Sequence, residues 1–299
     1  METNTIIEGD CLEVVKQIPN EFVHAIITDI PYGIGYDDWD VLHDNKNSAL
    51  MGTSEAQKKA GNVFKHRGKP LNGWSEADRH ISEEYQHFCE SFANDWLRVL
   101  KPAATAFVFA GRRYQHRLIL AMENAGFIFK DMIAWEKPSA PHRAQRLSVV
   151  YERRNDYANA EKWQGWRIGN LRPLFEPILW FMKPYKQGTT IADNVLQYQV
   201  GAWNNEEVRR INASCSNIFS TEQEGKGRVK LHPAQKPLGL IQLLIRAVTT
   251  ENQIILDPFA GSGTTAIAAK LTNRQYIAIE QNHIYAQSAQ QRIQQAQLQ

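Results

Sequence analysis

Gln253-Ile254-Ile255-Leu256-Asp257-Pro258-Phe259-Ala260-Gly261-Ser262-Gly263-Thr264-Thr265 is the stretch whose reading decides the fold. Gln253–Leu256 is a short apolar run of the kind that forms a buried strand. Asp257-Pro258 ends it, and two glycines one residue apart let the backbone turn tightly and pass close to a ligand. The pattern predicts a helix beginning just after Gly263. Tyr276–Ile279 is the next apolar strand, and Glu280 stands at its carboxyl end. A carboxylate in that position can accept hydrogen bonds from both hydroxyls of a ribose. Strand, glycine turn, helix, strand and acidic residue together predict a cradle for a nucleotide-like cofactor. The turn lacks the Gly-Lys-[Ser/Thr] of a phosphate loop, and Ala266 stands where a dinucleotide fingerprint has its third glycine.

Working outward, strands and helices alternate. Thr5–Ile7 reads as a strand, and Asp10 can cap a helix running to Gln17. Val23–Thr28, Thr105–Phe109, Phe127–Trp135 and Leu179–Met182 read as further strands. Apolar spacing predicts helices over Ser82–Val99, Arg113–Ala125 and Leu238–Thr249, with a polar helix at the C-terminus. This alternation predicts an α/β fold, a doubly wound and mostly parallel sheet. Two stretches lack periodicity, Tyr36–His80 and Lys183–Lys230.

The chain has 299 residues, 43% of them hydrophobic and 22% charged, with a net charge of +2. That suits one large α/β domain with insertions, or two domains. Charge is uneven: between Lys137 and Lys186 ten basic residues face four acidic ones, as on a phosphate-facing surface or a solvated charged face. Cys11, Cys89 and Cys215 are widely spaced, so neither a disulfide framework nor a metal site is expected. The opening residues METNTIIEGD lack a basic-then-apolar leader pattern, and no apolar run approaches the ~20 residues of a membrane helix. A cytoplasmic protein of a prokaryote or phage is the expectation, with no membrane partner.

At the end of the second strand lies Asp29-Ile30-Pro31-Tyr32-Gly33. Ligands of open α/β sheets bind outside the carboxyl ends of strands, so the position suits chemistry. By itself the segment is also an ordinary Asp-led turn. An exocyclic base nitrogen is a poor nucleophile because its lone pair is delocalised into the ring. The Asp29 carboxylate and the Ile30 carbonyl are acceptors that can draw that lone pair out, and Tyr32 can stack on a base taken out of its helix.

In combination these motifs resemble the amino-methyltransferases of DNA, the N6-adenine and N4-cytosine enzymes, in the permuted order called the beta class. In that order an Asp-Pro-Pro-Tyr-type motif comes first and a Phe-x-Gly-x-Gly motif late. Gly9-Asp10-Cys11, Arg98–Pro102, Trp135–Pro138, Glu176–Trp180, His232–Pro237 and Arg274–Glu280 also resemble family segments. The resemblance covers nearly the whole chain except about 37–80 and 184–228. It implies a Rossmann-like, S-adenosylmethionine-dependent fold with inserted DNA-recognition segments, and S-adenosylhomocysteine as product. No metal is required, because a sulfonium leaving group is already activated. Residues 1–183 become the catalytic half, with a loop insertion at 37–80. Residues 184–228 become the target-recognition region, and 229–299 the cofactor-binding half.

The same resemblance implies roles for individual residues. Asp29 is the catalytic acceptor with Ile30, Pro31 shapes the turn, and Tyr32 stacks the target base. Asp10 and Cys11 contact the cofactor adenine. Asp257, Phe259, Gly261, Ser262, Gly263 and Thr264 line the cofactor pocket, Glu280 holds the ribose, and Lys236 approaches the methionine carboxylate. Arg209, Arg210 and Arg228, with Lys65 and Arg67 of the long loop, are the DNA-binding candidates. Two departures stand out: Ile30 replaces a proline, and Ala234 a threonine. The expected reaction is site-specific methylation of adenine N6 in duplex DNA, since Asp-first members are more often adenine enzymes. The alternatives are cytosine N4, an RNA or a protein amide, or a silent DNA-binding protein. Pairing as a homodimer and a companion restriction endonuclease complete the expectations.

Overall fold

The computed structural model describes residues 1–33, 76–137, 139–140, 144–220 and 235–296. The strands are β1 (Thr5–Glu8), β2 (Val23–Asp29), β3 (Leu100–Phe109), β4 (Ile128–Glu136), β5 (Gln145–Arg146), β6 (Arg167–Ile168), β7 (Phe175–Met182), β8 (Ile218–Ser220), β9 (Ile254–Asp257) and β10 (Gln275–Glu280). The helices are α1 (Cys11–Val14), α2 (Glu76–Val99), α3 (Gln115–Asn124), α4 (Leu147–Glu152), α5 (Tyr157–Lys162), α6 (Ile191–Tyr198), α7 (Asn205–Arg209), α8 (Leu238–Val248), α9 (Thr264–Leu271) and α10 (His283–Gln295).

Eight strands form one sheet in the order β1-β10-β9-β2-β3-β7-β4-β8, while β5 and β6 pair apart from it. Only β7 runs against its neighbours β3 and β4; the other pairings in the sheet are parallel. The winding reverses between β9 and β2, since β9 leads to β10 on one side and β2 to β3 on the other. That is a topological switch point, where such sheets place their ligands.

The strands alternate cleanly between two cores. Ile26, Ala106, Val108, Leu179, Leu256, Ile277 and Ile279 face one side, where α2 and α3 add Tyr85, Phe92, Trp96, Leu118 and Met122. Ala25, Ile27, Phe107, Phe109, Ile178, Ile255 and Ala278 face the other, under Leu240, Leu244, Ile245 and Val248 of α8 and Ala266–Ala269 of α9. This period of two on strands covered on both faces produces the continuous apolar runs of the sequence.

Three features depart from the sequence reading. Helix α2 begins at Glu76, within the stretch assigned to the loop insertion. Strand β7 begins at Phe175 and is antiparallel. The chain leaves β4 at the carboxyl edge of the sheet and re-enters at the same edge, so β7 must run backwards. Strand β8 lies inside the segment assigned to target recognition and pairs with β4. No helix among the described residues is long and apolar enough to cross a membrane.

The aromatic spine of α2 joins the core to the glycine turn at Phe259. Trp96 is fully buried, stacks on Phe92 at 4.2 Å between ring centroids, and meets Phe259 edge-on at 6.2 Å. Trp96→Ala should cost about 3–5 kcal/mol of stability, read as a lower denaturation midpoint at unchanged m-value.

Candidate active site at the carboxyl edge of the sheet

The carboxyl ends of β1, β10, β9 and β2 converge on one edge and bring together motifs far apart in sequence. Asp257 closes β9. Its Oδ1 accepts hydrogen bonds from the Thr28 hydroxyl at 2.7 Å and the Phe259 N–H at 3.2 Å, fixing the glycine turn to β2. Burial pushes the Asp257 carboxyl up to about 6, against the lowering effect of those bonds and of Thr265. Gly261 and Gly263 both adopt positive φ, +51° and +78°. At Gly263 a Cβ would sit 2.8 Å from the Ala289 Cβ of α10, so glycine is required there. At Gly261 a Cβ would meet nothing within 4 Å, so the space over that peptide is open. Ser262 and Thr264 are buried at the start of α9. Phe259 turns its ring onto Phe88, Phe92 and Trp96 of α2.

Glu280 ends β10 beside this turn. Its carboxylate accepts from the Gly261 N–H at 2.7 Å and the Asn282 N–H at 2.8 Å. Burial raises its pKa, against these two backbone bonds. The Gly9 N–H donates to the Glu280 carbonyl, which brings the Gly9–Asp10 turn to the same place. Asp10 caps α1 by accepting from the Leu12 N–H at 2.9 Å. Cys11 is buried, and burial followed by the nearby Asp10 charge pushes its thiol up to about 12.

Asp29 closes β2, next to this cradle. Its Oδ2 is paired with the Lys236 ammonium, while its Oδ1 is buried and accepts no hydrogen bond from the described residues. Lys236 precedes α8 and also pairs with Glu176 at 3.1 Å. Glu176, at the start of β7, further pairs with Lys137 and accepts the Tyr32 hydroxyl. Two carboxylates and two ammoniums thus neutralise one another around Tyr32. Burial raises Asp29, with Lys236 opposing it. For Glu176 burial also raises, but Lys236 and Lys137 prevail and hold the carboxyl at about 2. For Lys236 burial lowers, and the two carboxylates prevail to raise it.

The turn itself is packed on both sides. Ile30 is 1% exposed, in the core beneath α2. The Tyr85 hydroxyl donates to the Pro31 carbonyl at 3.2 Å. Gly33 adopts φ +64°, and a Cβ there would come within 2.6 Å of the Tyr85 ring. A Cβ on Gly111 would stand 2.9 Å from the Tyr32 Cβ, so Gly111 makes room for that ring.

The fold therefore gathers Asp29, Ile30, Pro31, Tyr32, Lys236, Asp257, Phe259, Gly261, Ser262, Gly263, Thr264, Glu280, Asp10 and Cys11 along one edge. Of the DNA-binding candidates, the two within the described residues, Arg209 and Arg210, are not gathered there. Lys65, Arg67 and Arg228 lie outside the described residues. Arg209 and Arg210 lie at the end of α7, where they pair with Glu206 and Glu207. The Asn204 N–H that starts this helix donates to the Ala247 carbonyl near the end of α8, towards the opposite edge of the sheet. Glu176, Lys137 and Tyr85 were missed by the motif reading. The signal for Glu176 was a charged residue at the mouth of the wholly apolar run Pro177–Met182.

The raised Asp257 carboxyl has a pH consequence. Its folded pKa exceeds the unfolded one, so it favours folding at low pH, and this contribution fades as pH rises through about 4 to 6. Relative to Asp257→Asn, the wild type should lose about 3 kcal/mol over that window and stay level above it, as measured by urea unfolding at several pH values.

The family model N6_N4_Mtase, described as DNA methylase, matches residues 23–291. The chain is 57% identical to the Type II methyltransferase M.HindIII of Haemophilus influenzae over 285 residues, covering 93% of this chain and 91% of that one. The fold is that of the PvuII DNA methyltransferase (cytosine-N4-specific), with a TM-score of 0.61 at 17% identity, covering 99% of this chain and 92% of that one. It is also that of M1.HpyAVI in complex with S-adenosylmethionine, at TM-score 0.52 and 20% identity, with 97% and 98% covered. A family match across most of its length and a relative of this identity make the chain a member of the N6/N4 family of DNA methyltransferases.

Proposed function

We propose that the protein methylates the exocyclic N6 of adenine at specific sites in duplex DNA, with S-adenosylmethionine as donor. The observation that carries this reading is the buried Oδ1 of Asp29, which has no hydrogen-bond donor among the described residues, beside Tyr32 at the end of β2 and next to the glycine cradle. Asp29 is an acceptor held ready for a donor that the described residues do not supply. The exocyclic amine of a flipped base is such a donor.

The cradle fits the donor molecule by its own geometry. Open space over Gly261 admits a ligand against the backbone, and the Glu280 carboxylate beside it provides acceptors for ribose hydroxyls. The Gly9–Asp10 turn after β1 lies against the end of β10, which supports assigning the cofactor adenine to Asp10 and Cys11. S-adenosylmethionine supplies an electrophilic methyl group on a sulfonium. The protein's own residues do the rest. Asp29 accepts a hydrogen of the amine and localises its lone pair, with the Ile30 carbonyl as second acceptor. The ring of Tyr32, tethered through its hydroxyl to Glu176, forms the stacking platform for the base. On transfer the amine nitrogen gains a methyl and loses a proton, for which Asp29 is the adjacent acceptor.

The Asp-first turn favours adenine, following the family tendency, and the same acceptors serve cytosine N4. Digestion of unmethylated duplex DNA after incubation with the protein and S-adenosylmethionine decides by the mass of the product nucleoside. N6-methyldeoxyadenosine is the expected product, and N4-methyldeoxycytidine would overturn the assignment of the base. Asp29→Ala should keep cofactor affinity and lose at least about 100-fold in kcat; near-normal turnover would remove Asp29 from catalysis. Lys236→Met should raise the Asp29 pKa by removing its counter-charge. Asp29 acts ionised, so the acidic limb of the kcat/KM profile should move to higher pH.

A further inference from the structure

We propose that residues 144–174 form the surface that grips the DNA flanking the target base, rather than the α6–α7 segment of 184–217. This rests on the reading that DNA presents its target at Asp29. The placement comes first. The segment leaves the sheet after β4 and returns at β7, both at the carboxyl edge that carries the site. Its neck is closed by the Lys137 N–H donating to the Leu174 carbonyl at 2.6 Å. Lys137 and Glu176 on either side of that neck are themselves paired within the charge network around Tyr32. The neck of the lobe is therefore tied to the charge network that holds Asp29 and Tyr32.

Its construction is that of a binding element rather than of core. The β5–β6 ribbon and the pair α4 and α5 stand apart from the main sheet, and Ala160 is the one residue of the lobe buried among those described. Tyr157, Trp166 and Leu171 are 67%, 62% and 87% exposed. Six basic residues, Arg146, Arg153, Arg154, Lys162, Arg167 and Arg172, face three acidic ones across 144–174. All six are exposed, and none is ion-paired among the described residues. Arg209 and Arg210 are exposed as well, but they pair with Glu206 and Glu207 and are set towards the opposite edge. An excess of cations without carboxylate partners among the described residues, beside exposed aromatic rings and joined to the site through the neck, fits a polyanionic duplex.

The test compares two variants of the full chain. One carries Arg153→Ala, Arg154→Ala, Arg167→Ala and Arg172→Ala; the other carries Arg209→Ala and Arg210→Ala. Affinity for an unmethylated mixed-sequence duplex is measured by fluorescence anisotropy at several salt concentrations, beside S-adenosylmethionine affinity and melting temperature. The lobe variant should bind duplex at least about tenfold more weakly, with the salt slope reduced by about one for every phosphate it ceases to neutralise. Its cofactor affinity and melting should be unchanged, and KM for DNA should rise with kcat largely retained. Lysine at the same four positions should restore most of the binding, which a merely structural role would not predict. Wild-type turnover on DNA with undiminished binding by the lobe variant would overturn the lobe assignment alone, the more so if Arg209→Ala with Arg210→Ala weakened binding. Failure of the wild type to bind or methylate duplex DNA would instead overturn the reading beneath it.

Discussion

The Lys236 ammonium, paired with Asp29 and with Glu176, is the interaction on which the site depends. It joins three segments that share no local sequence: the end of β2, the start of β7 and the loop before α8. Each charge here is buried enough to be costly alone, and only the group as a whole is neutral. Burial pushes Asp29 towards the neutral acid, and the ammonium beside it opposes that push. Glu176 keeps that ammonium in place and orients Tyr32. An acceptor and a stacking ring are thus set by one electrostatic balance.

A second tie explains how a permuted order of motifs still makes one site. β9 and β2 are neighbours across the switch point although 229 residues separate Thr28 from Asp257. The Thr28 hydroxyl donates to Asp257, and Asp257 in turn accepts the Phe259 N–H of the glycine turn. Phe259 then packs on α2, which also supports the Asp29 turn through Tyr85. The glycine turn and the Asp29 turn therefore lean on the same helix and the same pair of strands. Chain order can change without moving them, because sheet adjacency rather than sequence adjacency sets the geometry.

Much of this was legible in the sequence because it is local. The glycine turn, the apolar strands and the Asp-led turn at a strand end each announce themselves within a few residues. The direction of β7 did not, since its apolar run is the same read either way; only the return of the chain to the edge it left reverses it. Glu176 was visible as a charge beside an apolar run, but its two lysines lie 39 residues before it and 60 after it in the numbering of the chain. Arg209 and Arg210 show the converse limit. Residue type alone marks them as phosphate-binding candidates; the glutamates three residues before each are visible in the sequence, whereas their position beside the end of α8, away from the site, is a fact of three dimensions.

Ile30 shows how such a network tolerates a change in its most recognisable motif. A proline there would stiffen the turn through its ring. Ile30 instead sends its side chain into the core with Tyr85, and the Tyr85 hydroxyl holds the next carbonyl, that of Pro31. Pro31 still disfavours a helical conformation at Ile30. Gly33 leaves the turn at positive φ because the Tyr85 ring occupies the space of a side chain. Rigidity has moved from a pyrrolidine ring to packing against one tyrosine. The acceptor geometry needs a fixed backbone, and it does not matter which atoms fix it.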